Sequence, residues 1–188
     1  MRHLILVKHS HPEIVTTVAA AQWRLSDAGR RRCVALAERL AAYRPTTMIA
    51  SREPKAEETA RIAAERLGLR HTTAEGLHEH DRSNVGWSSF EDFEAAVARF
   101  FAQPSELVFG RETADESRSR FAAAVDTAAA AHPHGNLVVV AHGTVIALLV
   151  AARTGTEPLP LWRRLGLPSF VVLSLPDMAI VEIAEHIV

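Results

Sequence analysis

Two short apolar runs that each stop at a histidine constrain the fold of this chain more than any other feature. Leu4-Ile5-Leu6-Val7 leads into Lys8-His9-Ser10, and Leu137-Val138-Val139-Val140-Ala141 leads into His142-Gly143-Thr144. Runs of this length, rich in Val, Ile and Leu and ended by polar residues, read as strands buried on both faces of a parallel sheet. Open α/β sheets hold their ligands at the carboxyl ends of such strands, so His9 and His142 are expected to face one crevice. An imidazole, whose unperturbed pKa is about 6.5, can serve at neutral pH as a nucleophile, a proton shuttle or a charged clamp.

The rest of the chain alternates between strand and helix signals. Ser26-Asp27-Ala28-Gly29 predicts a helix start capped by Ser26, with Val34, Ala37, Leu40 and Ala41 on one apolar face and the Arg30-Arg31-Arg32 triplet on the solvated one. That helix should run to Tyr43, where Pro45 follows. A strand is expected over 46–50, and Ser51-Arg52-Glu53-Pro54 carries the chain into a second helix ended by Leu67-Gly68. A third strand over 70–73 precedes a polar loop, 78–89. Helices are expected over 90–102, 114–131 and 144–153. An antiparallel hairpin of 170–175 with 179–183, turned at Pro176-Asp177, closes the pattern. Strands alternating with helices imply a three-layer α/β/α sandwich around a mostly parallel central sheet.

Composition narrows the function. With 188 residues and 48% hydrophobic content, the chain fits a single domain over 1–188, in which 78–118 is expected to be an insertion covering the pocket. Lys and Arg total 21 against 22 Asp and Glu, so the net charge of -1 gives no reason to expect a nucleic-acid or membrane partner. The longest apolar tract, Leu137 to Ala152, is broken by His142-Gly143 and falls short of the roughly 20 residues that span a bilayer. Cys33 is the sole cysteine, and no signal peptide precedes Lys8, so a cytoplasmic location is expected. His9-x-His11, His78-x-His80 and His132-x-His134 lack a well-spaced third ligand, so neither metal nor cofactor is expected.

The polar residues at the strand ends, taken in order, resemble those of the histidine phosphatase superfamily, the phosphoglycerate mutase-like proteins. Leu25-Ser26-Asp27-Ala28-Gly29 is similar to the family's Leu-Thr-x-x-Gly helix start, and Ser51 to Ala60 to its Ser-Pro-Leu-x-Arg-Ala-x-x-Thr-Ala segment. Leu77-His78-Glu79 resembles Leu-x-Glu, and Val140-Ala141-His142-Gly143 resembles Val-x-His-Gly. The resemblance implies a phosphoglycerate mutase-like fold. It also implies that His9 is the nucleophile taking a phosphoryl group, that His142 is the second pocket histidine, and that Glu79 is the general acid or base, with Asp81 and Glu75 as competitors. Lys8, Ser10, Lys55, Gly143 and Thr144 would line the phosphate site.

The chain departs from the family where the anion should be gripped. Arg-His-Gly is Lys8-His9-Ser10 here, and the second family arginine falls on Lys55. Lysine keeps the charge but not the planar fork that holds two phosphate oxygens. The Ser10 hydroxyl is expected either to crowd a ligand or to donate to it, and Val15 stands where many relatives have asparagine. The resemblance therefore implies a metal-independent phosphatase acting on a small phosphomonoester through a phosphohistidine. The alternative is a phosphate-binding module with weak or no turnover, and mutase activity is less favoured. Either way the partner is a small phosphorylated molecule or inorganic phosphate; substrate and oligomeric state are not legible.

Overall fold

The computed structural model describes residues 2–188. Strand β1 (Arg2–Lys8) is followed by helix α1 (Asp27–Ala41), β2 (Pro45–Ser51), α2 (Pro54–Leu67) and β3 (His71–Ala74). Helices α3 (Phe90–Ala102) and α4 (Ala114–Ala131) then precede β4 (Asn136–Ala141), α5 (Gly143–Thr154), α6 (Pro158–Arg164), β5 (Ser169–Leu175) and β6 (Ile180–Ala184). The six strands form one sheet in the order β3-β2-β4-β1-β5-β6. From β3 to β1 neighbours are parallel, whereas β5 runs antiparallel to both β1 and β6.

Side chains of successive strand residues point to opposite faces, and both faces are covered. Leu4 and Leu6 of β1 join Val139, Val171 and Leu173 against Val125 of α4, Leu149 of α5 and Trp162 of α6. Ile5 and Val7 join Val138, Val140 and Phe170 on the other face, against Leu36 and Leu40 of α1 and the alanines Ala56, Ala60, Ala63 and Ala64 of α2. The result is the expected α/β sandwich.

Capping signals set the helix starts. Ser26 accepts a hydrogen bond from the Gly29 amide at 3.0 Å, and Thr113 with Glu116 forms a reciprocal capping box at α4. Two details of α1 differ from expectation, the makeup of its buried stripe and the setting of its arginines. The helix stops at Ala41, its buried stripe is Cys33, Leu36, Ala37 and Leu40 with Val34 and Ala41 outside it, and Cys33 is fully buried. The arginine triplet is only partly solvated, because Arg30 pairs with Glu58 at 2.7 Å and Arg32 donates to the Leu167 carbonyl at 2.9 Å. Helix α6, which was not expected, tolerates Pro158 and Pro160 because first-turn residues have no intrahelical use for an N–H.

Candidate active site

Strand register brings the two histidines together. β1 and β4 are adjacent and parallel, with Lys8 opposite Ala141, so the residues that follow emerge side by side at the carboxyl edge. The His9 amide donates to the Ala141 carbonyl at 3.0 Å, and the two imidazoles lie 5.2 Å apart, centroid to centroid, at an interplanar angle of 62°. His9 keeps 7% of its surface open and His142 none.

Each ring is oriented by a different partner. His9 Nδ1 lies 2.8 Å from the Ser10 carbonyl, and since a carbonyl oxygen only accepts, Nδ1 carries the hydrogen and Nε2 carries the lone pair. His142 Nε2 pairs with Ser51 Oγ at 2.9 Å, while its Nδ1 is buried and has no protein partner among the described residues. Both imidazoles are held well below their ordinary pKa, chiefly by burial, and then by each other's neighbourhood: His142 and Lys55 for His9, Lys55 for His142. Both are therefore neutral near pH 7, and a neutral imidazole can attack phosphorus.

The cations expected to grip an anion are present but engaged. Lys8 donates to the Leu165 carbonyl at 2.6 Å and runs along Gly143, where an added Cβ would stand 3.0 Å from Lys8 Cε. Glycine at 143 thus makes room for the lysine stem. Burial lowers Lys8 to a pKa of about 8, partly opposed by the Glu79 carboxylate. Lys55 is buried, not a solvated first-turn lysine; its ammonium donates to the Ala20 carbonyl at 2.8 Å and pairs closely with Glu53. Glu53, which the sequence reading passed over as a connector residue, also lies 3.4 Å from His142 Nε2 and accepts from the Glu79 amide at 2.8 Å. A carboxylate here partly neutralises Lys55 beside the histidines.

Glu79 is fixed by backbone donors. Its carboxylate accepts from Thr144 at 3.1 Å, Val145 at 3.3 Å and His80 at 2.9 Å, closing the amino end of α5. Burial pushes this carboxyl up, but the Arg82 charge and the His80 and Thr144 amides help to outweigh it, and the carboxyl is held below its ordinary value. Arg120 secures the same segment from behind by donating to the carbonyls of Gly76, His78 and Glu79 and pairing with Glu112. The competitors lie elsewhere: Glu75 pairs with Arg52 at the surface, and the Asp81 carboxylate closes a local turn by accepting from the Ser83 amide.

Two residues expected at the phosphate site have donors engaged within the protein. The Ser10 hydroxyl donates to the Gly29 carbonyl at 2.8 Å, and its amide donates to Thr59. The Thr144 amide is already taken by Glu79. Gly29 itself lies so close to the loop after His9 that an added Cβ would stand 2.1 Å from the His11 carbonyl oxygen. His80 packs on Phe100 and Phe109 with ring centroids 4.2 and 4.6 Å away. Among the described residues no three His, Cys, Asp or Glu side chains are grouped as a metal ion needs. Of the aromatic residues on 87–93, Trp87 and Phe90 are exposed and Phe93 is half-buried.

The sequence model of the histidine phosphatase superfamily (branch 1) matches residues 4–178. A comparison with curated proteins gives no match. Among solved structures, a mycobacterial glucosyl-3-phosphoglycerate phosphatase complexed with VO3 is similar at a TM-score of 0.80 and 23% identity, covering 98% of this chain and 99% of the other. The complex of that phosphatase with inorganic phosphate gives a TM-score of 0.77 at 24% identity, over 96% and 93% of the two chains. A phosphoserine phosphatase from Entamoeba histolytica in complex with 3-phosphoglyceric acid gives 0.76 at 16% identity, over 99% and 98%. At these identities the likeness is one of fold.

Proposed function

The chain belongs to the histidine phosphatase superfamily (branch 1), and from that membership we propose that it hydrolyses a small phosphomonoester without a metal, through a phosphohistidine on His9. The observation that carries this reading is the His9 tautomer: Nδ1–H is spent on the Ser10 carbonyl, which leaves Nε2 unprotonated on a ring 5.2 Å from that of His142. In the first step Nε2 forms a bond to phosphorus as the ester P–O bond breaks, and the leaving oxygen takes the proton that the monoanionic ester brings in, relayed by Glu79. In the second, water attacks phosphorus, the N–P bond breaks and phosphate leaves. His142 Nδ1, Lys8 and Lys55 are the candidates for stabilising the transferring oxygens, and Glu79 for handling protons. The solved relatives with VO3, phosphate and 3-phosphoglyceric acid are consistent with a small phosphorylated ligand. In this reading residues 1–188 act as one domain, with 78–118 over the pocket.

A second reading, a phosphate-binding module with little turnover, is favoured by the Glu53 carboxylate at Lys55 and His142. Rapid-quench labelling with a phosphomonoester in the presence of EDTA separates the two. The phosphatase reading expects one acid-labile, alkali-stable phosphoryl group per chain and steady release of phosphate. Thermal stabilisation by phosphate without labelling or release would select the binding module.

The Lys8 ammonium gives a pH signature. Its folded pKa of about 8 lies below the ordinary 10.5, so it loses its proton as pH rises through about 8, and phosphate should bind less well above that value. Between the two values the unfolded chain holds the extra proton, so this group adds stability as pH rises across that window. Lys8→Arg, which stays charged, is expected to abolish the alkaline fall in phosphate affinity, read by calorimetry from pH 7 to 9. An identical fall in the variant would remove Lys8 from the anion site.

A further inference from the structure

The loop between β3 and α3 carries an arginine whose surroundings neither the family resemblance nor the mechanism above explains. Arg82 lays its guanidinium on the Phe93 ring, 4.4 Å from Cζ to the centroid, and Phe93 in turn packs against Trp162 and Phe109. The loop is anchored on both sides of it. The Asp81 amide donates to Glu112 at 2.9 Å, the Arg111 amide donates to the Asp81 carbonyl at 2.7 Å, and Asn84 donates to the Gly110 carbonyl at 3.1 Å. In this held position Arg82 Nη1 is buried and has no protein partner among the described residues. Arg82 follows Glu79 by three residues on this anchored loop, and its charge favours the ionised form of that carboxylate.

Lys8 and Lys55 provide the contrast. Both already donate to protein oxygens, and Lys55 is partly neutralised by Glu53. A buried guanidinium nitrogen without an acceptor is costly, and a loop that stacks and fixes it in that state has ordered a donor for something else to accept. Its planar fork suits an oxyanion better than either ammonium does. We propose that Arg82 is a specificity-determining residue that donates to an oxyanion of the bound phosphomonoester, either the phosphoryl group or a carboxylate on the leaving group. The inference rests on the phosphatase reading for its substrate class. It moves part of the anion grip from the strand ends to the covering loop.

The test uses the intact protein, Arg82→Gln and Arg82→Lys, with inorganic phosphate binding measured by calorimetry and kcat and KM measured for para-nitrophenyl phosphate and phosphoserine. Arg82→Gln is expected to weaken at least one of these interactions by roughly 10- to 100-fold, the range for losing a hydrogen bond to a charged group, with KM changing more than kcat. Loss with inorganic phosphate and both esters assigns the guanidinium to the phosphoryl group; loss confined to phosphoserine assigns it to the carboxylate. Arg82→Lys should recover only part of the loss. Phosphate affinity and both KM values within about twofold of wild type in Arg82→Gln would overturn the proposal. If Arg82→Gln lowers Tm, Arg82→Lys decides, and a lysine variant equal to wild type overturns it. Phosphate binding needs no turnover, so a protein that hydrolyses neither ester yet binds phosphate less well as Arg82→Gln sinks the phosphatase reading and keeps this one.

Discussion

His9→Ala is expected to lose phosphomonoester hydrolysis by on the order of 10⁴-fold or more, as when the nucleophile of a covalent mechanism is removed, and to take up no phosphoryl label. The size of the effect follows from geometry. His9 Nε2 is the lone pair that the Ser10 carbonyl leaves free, and no other imidazole in the pair is bound in that way, because His142 Nε2 is engaged by Ser51. Binding should survive better than chemistry, since Lys8, Lys55 and His142 remain. The diagnostic pattern is therefore a collapse of kcat with phosphate affinity kept within an order of magnitude. Equal loss of both, or label retained in the variant, would place the nucleophile elsewhere.

Glu79→Gln is expected to lower kcat by about 10²- to 10⁴-fold, the usual range for a proton-transfer residue, and to do so mainly in the second step. The carboxyl is held below its ordinary value of 4.5, so it enters the reaction ionised. An ionised carboxylate can take a proton from attacking water; it can give one to a leaving oxygen only after it has received one. With an aryl ester, whose leaving oxygen needs little help, Glu79→Gln should still release a burst of phenol and then hold its phosphohistidine. Rapid-quench labelling reads that accumulation directly, and a rate and label level equal to wild type would discard the assignment. Stability should respond as well. A folded-state pKa below the ordinary one gives stability that is present above about pH 4.5 and fades as pH falls through the folded value. Acid unfolding of Glu79→Gln should therefore be less steep, although at neutral pH it should be weaker by on the order of 1–3 kcal/mol, because an amide cannot accept from His80, Thr144 and Val145 together.

The elements were legible where local chemistry decides them. Apolar runs ended by histidine, a capping serine and an Ala-rich helix face each state their structure within a few residues, and register then brings His9 to His142. What the sequence does not state is direction. The antiparallel placement of β5 beside β1 depends on the route taken by 155–168, and α6 was hidden because its two prolines read as loop until their first-turn position is known. The same holds in the site. Ser10 was recognised as replacing glycine, but that its hydroxyl turns to Gly29 depends on α1 lying against the loop. Glu53 and Arg82 were missed because a carboxylate before proline and an arginine in a polar loop are ordinary surface residues until the backbone buries them. Family patterns point to positions; they say nothing about a new charge set between them.

The place of β1 in the sheet has a consequence for assembly. Leu4 lies opposite Leu137 on one side and Leu173 on the other, so the strand that delivers His9 finds both its neighbours only in the last third of the chain. Contacts so distant along the sequence form slowly and late. A molecule that has formed only α1, α2 and the β2–β3 pair lacks the β1–β4 pairing that brings His9 to His142, so under the proposed function phosphate would recognise only the finished architecture. Such a ligand selects against every partly assembled form, and recovery of phosphate binding during refolding should lag behind recovery of helix signal.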